Sequence, residues 1–196
     1  MTVMAWDGRT LAADRSSNFG NQKVPTTKVF RGVLPNGTRF IAAAAGNTVR
    51  CHEIQEWIAA GSPKDTIPDF QKSTADACDV IVVEEGNKFP LLYQNSHIPV
   101  RIETEKFGFG SGGDFAQGAL MAGATARQAV EMACEWQGGC GFGVDALEFE
   151  PCKIAERRRL FGPGPGQPDE FVLNYGTKKQ KAFVRQEMRD RARGQA

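Results

Sequence analysis

Thr2-Val3-Met4-Ala5-Trp6-Asp7-Gly8-Arg9-Thr10-Leu11-Ala12-Ala13-Asp14-Arg15 carries two short runs on either side of a turn. Its two runs, 2–6 and 10–13, are apolar or β-prone, and between them stands Asp7-Gly8, the pair that marks a tight hairpin with positive φ at its glycine. Two antiparallel strands are therefore expected to open the chain. A second such pair follows at 28–33 and 38–45 across Leu34-Pro35-Asn36-Gly37, and the run Ala42-Ala43-Ala44-Ala45 suits a strand pressed between two layers. From Thr48 the period changes: Val49, His52 or Glu53, Glu56 and Trp57 recur at helical spacing until Gly61-Ser62-Pro63 stops them, which predicts the first helix.

Residues 79–85, 89–94 and 98–107 read as further strands, the first two joined by a turn at Glu85-Gly86-Asn87-Lys88. Glycines at Gly110-Ser111-Gly112-Gly113 then lead into helical runs at 114–121 and 126–135, and 144–149 alternates as a last strand. Strands, helix, strands, two helices, strand is an α+β order. It fits a four-layer αββα sandwich, two antiparallel sheets flanked by helices, better than a parallel βαβ sheet. Past Glu150 the character shifts to Gly162-Pro163-Gly164-Pro165-Gly166-Gln167-Pro168 and a basic run from Lys178. The expected organisation is a domain over 1–152 and a Gly/Pro linker with a basic C-terminal extension over 153–196.

Composition narrows the function. The chain has 196 residues, 41% hydrophobic and 24% charged, enough to bury a core. Lys+Arg 24 against Asp+Glu 23 leaves a net charge of +1, so no global field favours nucleic acid or a membrane surface. The basic tail reads first as a solvated helix. Five cysteines (Cys51, Cys78, Cys134, Cys140, Cys152), odd in number and without a C-x-x-C pair, form neither a disulfide framework nor a zinc site. With no secretory signal pattern and no apolar run of membrane-spanning length, the expectation is a soluble cytoplasmic protein without metal or cofactor.

Candidate chemistry begins at Thr2. A small residue after Met1 is one that methionine aminopeptidases expose. An N-terminal threonine then carries a hydroxyl nucleophile and, on the same residue, an α-amine of unperturbed pKa about 7.7 to 8.0 that serves as its own base. The only histidines, His52 and His97, read as satisfied surface or core residues, so this route needs neither. Gly110-Ser111-Gly112-Gly113 is no phosphate cradle, because no Lys-[Ser/Thr] follows it.

Four stretches together resemble the proteasome β-subunit family of N-terminal nucleophile hydrolases, including the HslV-type peptidase and short bacterial and phage relatives. They are 2–15, Lys28-Val29-Phe30-Arg31, Ala45-Gly46-Asn47-Thr48 and Gly110-Ser111-Gly112-Gly113-Asp114-Phe115-Ala116. The likeness spans roughly 2–150. It implies that Thr2 Oγ attacks the scissile carbonyl, that Lys28, neutralised by Asp14, keeps the field positive, that the N–H of Gly46 forms the oxyanion hole, and that Ser111 orients the α-amine. Each residue also has a plainer reading: Asp14-Arg15 as a strand-end charge pair, Lys28 as a solvated strand residue, the glycine run as the start of a helix. One stretch departs from the family pattern. Gln137 stands where an Asp is usual and Cys140 where a Ser is, so these two are supporting positions with altered chemistry. Cys140 as a nucleophile lacks an obvious base.

The resemblance implies a threonine-type peptidase acting on peptide or protein substrates, assembled as a homo-oligomeric ring, with any ATPase unfoldase a separate protein. Two alternatives stand beside it: a non-catalytic structural ring subunit, and an amidase for a small substrate using the same nucleophile.

Overall fold

The opening hairpin forms as expected in the computed structural model, which describes residues 1–70 and 77–149. β1 (Val3–Trp6) pairs with β2 (Thr10–Asp14) in the register Met4↔Ala13, and Gly8 takes the turn at φ +92°. Asp7 stabilises this turn from its side chain: Oδ1 accepts from the N–H groups of Arg9 and Thr10 at 3.0 and 2.7 Å. Its Oδ2 accepts from Ala126 N at 2.7 Å, fixing the start of a later helix against the hairpin.

A short hairpin not foreseen from the sequence follows, β3 (Ser16–Phe19) and β4 (Gln22–Pro25), turning at Gly20 with φ +59°. Its residues are mostly polar and exposed, so no alternation of apolar residues announces it. β5 (Val29–Val33) and β6 (Arg39–Gly46) form the second expected hairpin. α1 (Thr48–Ala59) is capped by Asn47, whose side chain accepts from Val49 N and Arg50 N.

β7 (Cys78–Glu84) and β8 (Leu91–Gln94) follow the predicted strands. The strand expected over 98–107 is corrected. Only β9 (Val100–Arg101) pairs with β8, while β10 (Phe107–Gly110) crosses to the other sheet and pairs with β1. Between them Glu103-Thr104-Glu105-Lys106 is polar and has no face to bury, so the chain leaves one layer there and enters the next. α2 (Gly113–Met121), α3 (Ala126–Trp136) and β11 (Val144–Glu148) complete the fold, α3 beginning with a capping box between Thr125 and Gln128.

The sheets have the orders β10-β1-β2-β11 and β5-β6-β7-β8-β9. Alternation along each strand sends residues to two different cores. Met4, Trp6, Leu11 and Ala13 meet Val29, Ile41, Ala43, Ile81 and Val83 between the sheets. On the far side of the second sheet Phe40, Ala42, Val80 and Val82 pack on Ile54, Trp57 and Ile58 of α1. On the far side of the first, Val3, Ala5 and Ala12 pack on Ala116, Leu120, Ala129, Val130 and Ala133 of α2 and α3. The result is the four-layer αββα sandwich. Residues 1–149 form one compact unit, and the expected linker and extension at 153–196 lie outside the described residues. Among the described residues no helix is long and apolar enough to cross a membrane.

Candidate active site

The pairing of β1 with β2 places Thr2, just ahead of β1, beside Asp14 at the end of β2. Asp14 is wholly enclosed, with 0% of its side chain exposed. Its Oδ1 accepts from Val3 N at 3.0 Å, and its Oδ2 from Ser16 N at 3.0 Å and Gly141 N at 3.1 Å. Three segments are thus tied to one carboxylate. Lys28, immediately ahead of β5, completes it: Nζ donates to Asp14 Oδ1 at 2.8 Å, Thr2 Oγ1 at 2.9 Å and Met1 O at 3.1 Å. The ammonium therefore has an acceptor for each of its three protons, which is what lets a buried charge pair persist.

Ser111 arrives from the other edge of the hairpin. The register Val3↔Gly110 brings the turn after β10 alongside Thr2, and Gly110, at φ +91°, approaches so closely that a Cβ there would collide with the Thr2 carbonyl oxygen. The N–H of Thr2 donates to Ser111 Oγ at 3.0 Å, and the Ser111 hydroxyl donates to Thr2 O at 3.1 Å.

Gly46 ends β6 at φ +117°, and a Cβ on it would run into the Ala77 carbonyl oxygen. Only glycine fits this turn without displacing main chain. Gly46→Ala is expected to cost about 1 to 3 kcal/mol from strain alone, read as a lowered midpoint in denaturant unfolding.

Thr2, Lys28, Gly46 and Ser111 line one cavity of ≈ 720 Å³, with Asp14 buried behind them. All five residues predicted for the centre are thereby brought together. The two supporting positions divide. Cys140 Sγ lies 4.0 Å from Ser111 Oγ, whereas Gln137 Nε2 lies 3.5 Å from Met1 Sδ and meets the residue ahead of Thr2 instead of Thr2 itself. Burial pushes the Cys140 thiol up, and that of neighbouring Cys134 up to about 12, so neither is a ready thiolate at neutral pH. Of the histidines, exposed His52 lines the cavity and His97 lies on the surface away from it. Among the described residues no group of His, Cys, Asp and Glu could hold a metal ion.

Two cavity residues escaped the sequence reading. Ser16, 1% exposed, has a buried Oγ without a hydrogen-bond partner among the described residues, and it belongs to the hairpin that carried no signal. Asp79, near the start of β7, lines the same cavity with one buried oxygen equally unpartnered. Burial raises its carboxyl above the usual carboxylate range. The folded chain therefore holds that proton to higher pH than the unfolded chain, and stability is lost as pH rises through the raised value. Asp79→Asn is expected to raise the melting temperature at pH 7, the gain shrinking as pH falls from the raised value and gone once pH is below the ordinary carboxylate value. Paired melts of the two proteins across pH check this.

No family model and no curated protein sequence matches the chain. Solved structures do. HslV from Trypanosoma brucei is similar with 19% identity over 75% of this chain and 98% of that one, at a TM-score of 0.52. Anbu from Hyphomicrobium sp. strain MC1 is similar with 14% identity over 76% of this chain and 82% of that one, at 0.56. Anbu from Pseudomonas aeruginosa, solved as a helical assembly, gives 13% identity over 76% and 81%, at 0.56. Identities this low carry the fold alone: the chain is built on the αββα architecture that it shares with HslV and Anbu.

Proposed function

We propose that this chain is an N-terminal threonine amide hydrolase, a peptidase of the proteasome and HslV kind, with Thr2 as nucleophile after removal of Met1. The observation that carries the reading is the Lys28 ammonium 2.9 Å from Thr2 Oγ1, its charge balanced by a carboxylate with no exposed surface. With Met1 attached, the Thr2 nitrogen is an amide that can only donate. Once Met1 is cleaved the same nitrogen is an amine beside Ser111 and can accept the hydroxyl proton.

Thr2 Oγ then attacks the substrate carbonyl while the amine takes its proton. Lys28 stabilises the developing alkoxide, and the N–H of Gly46 donates to the oxyanion. Collapse expels the substrate amine, which leaves with the proton, and an ester on Thr2 remains. Water, deprotonated by the same amine, hydrolyses that ester. Asp14 touches no substrate and acts by holding Lys28. The catalytic part is 1–152, with 153–196 an appended extension. The protein assembles with copies of itself, in a ring, in the cytoplasm, and any ATPase unfoldase is a separate chain. Self-assembly is supported by the neighbours, of which Anbu from P. aeruginosa forms a helical assembly.

One observation favours a second reading, a structural subunit without activity. Gln137 and Cys140 stand at the supporting positions, and Gln137 meets Met1. A panel of fluorogenic peptides and small amides, assayed with and without a peptide epoxyketone, separates the possibilities. Epoxyketone-sensitive turnover of peptides supports the peptidase. Turnover of small amides alone supports an amidase, and no turnover of either supports the structural subunit.

A further inference from the structure

Cys51 on the first turns of α1 and Cys78 at the start of β7 are separated by 27 positions in the chain, yet their sulfurs lie 2.7 Å apart. Both are free thiols and both are buried. Their surroundings are those of the cavity. Cys51 contributes to its wall, and Cys78 is the cross-strand partner of Gly46. The turn that carries Gly46 is hemmed in by main chain from both cysteines' segments: Asn47 N donates to Ala77 O at 3.1 Å, and Cys51 N donates to Asn47 O at 2.9 Å. No other pair of cysteine sulfurs among the described residues is in such contact, the Cys140 sulfur facing the Ser111 hydroxyl instead.

We infer that Cys51 and Cys78 are a redox modification site, a thiol pair that a hydroperoxide converts to an intramolecular disulfide clamping α1 to β7 around the Gly46–Asn47 turn. Hydrogen peroxide is the simplest oxidant of this class and small enough to enter the cavity. The Cys51 sulfur attacks one peroxide oxygen, the O–O bond breaks, and a sulfenic acid forms with loss of water. The Cys78 sulfur attacks the Cys51 sulfur, the S–S bond forms as S–O breaks, and the hydroxide leaves with the Cys78 proton as a second water. Two thiols and one peroxide become one disulfide and two waters. The hydrogen bond with Cys51, and then burial, push the Cys78 thiol up, so the closing step is slow and accelerates with pH. A disulfide formed here joins elements already in contact, so it constrains the unfolded chain without moving the folded one far.

The inference does not depend on Thr2 being a nucleophile. Its test is peroxide treatment of the full-length protein, followed by intact mass measurement and peptide mapping without reduction. The expected result is loss of two hydrogen masses, a linked pair of peptides containing Cys51 and Cys78, and a melting temperature higher by about 7 to 14 °C. Amide hydrogen exchange at Asn47 and Cys51 slows by about tenfold or more in the oxidised form. The linkage is lost in Cys51→Ser and kept when Cys134, Cys140 and Cys152 are all changed to Ser. Peptide mapping of the wild type needs no variant and stands even where a substitution weakens the fold. An unchanged mass, a linkage between other cysteines, or gain of two oxygens at Cys51 without linkage would overturn the inference.

Discussion

Thr2→Ala lowers peptide hydrolysis by about 10³-fold or more, while the protein keeps its fold. The substitution removes the hydroxyl together with one methyl group, and only the hydroxyl can attack a carbonyl. Lys28 loses the Thr2 hydroxyl as an acceptor but keeps Asp14 Oδ1, so the buried charge remains paired. Thr2→Ser keeps a hydroxyl in place and retains turnover within roughly a hundredfold. Initial rates on the same fluorogenic peptide, with circular dichroism to confirm folding, make the comparison. Equal rates for wild type and Thr2→Ala would place the chemistry elsewhere.

The second large effect is on stability. Asp14→Ala leaves the Lys28 ammonium buried without its counter-charge, a loss of about 3 to 5 kcal/mol. It also releases three main-chain N–H groups, from Val3, Ser16 and Gly141, that the carboxylate accepts. The expected fall in melting temperature is roughly 6 to 20 °C for a chain of this size. Lys28→Met is milder, because the carboxylate keeps its three N–H donors when the ammonium goes. The double variant Asp14→Asn with Lys28→Met removes both charges and recovers part of the loss. Denaturant unfolding of the three variants gives the order directly, and an Asp14→Ala protein as stable as wild type would contradict the pairing.

Much of this was legible in the sequence because local chemistry and tertiary demand agree there. Asp7-Gly8 makes the same hairpin wherever it lies between strands, and the alanines of β6 suit the tight layer they occupy. The residues of the centre were legible for a related reason. Thr2, Asp14 and Ser111 each adjoin a strand end that the register of β1 with β2 and β10 brings together, and Lys28, just ahead of β5, reaches them from the other sheet. What stayed hidden depends on distant partners. The switch from β9 to β10 occurs inside one β-prone run, since pairing with β1 is decided more than a hundred residues from the strand it joins. The β3–β4 hairpin has no apolar face and so left no period to read. Asp79 reads as an ordinary charge at a strand start until β6 and α1 wall it into a cavity, and Gln137 reveals its contact with Met1 only once α3 is folded against the first strand.

The proposed mechanism requires Thr2 to become a free N-terminal nucleophile. Intact-protein mass spectrometry before and after incubation with a peptide epoxyketone shows whether it does, because that reagent captures the hydroxyl and the α-amine of an N-terminal threonine together. The expected result is a chain lacking Met1 and a single adduct mapped to Thr2, absent in Thr2→Ala. A chain that retains Met1 and forms no adduct would contradict it.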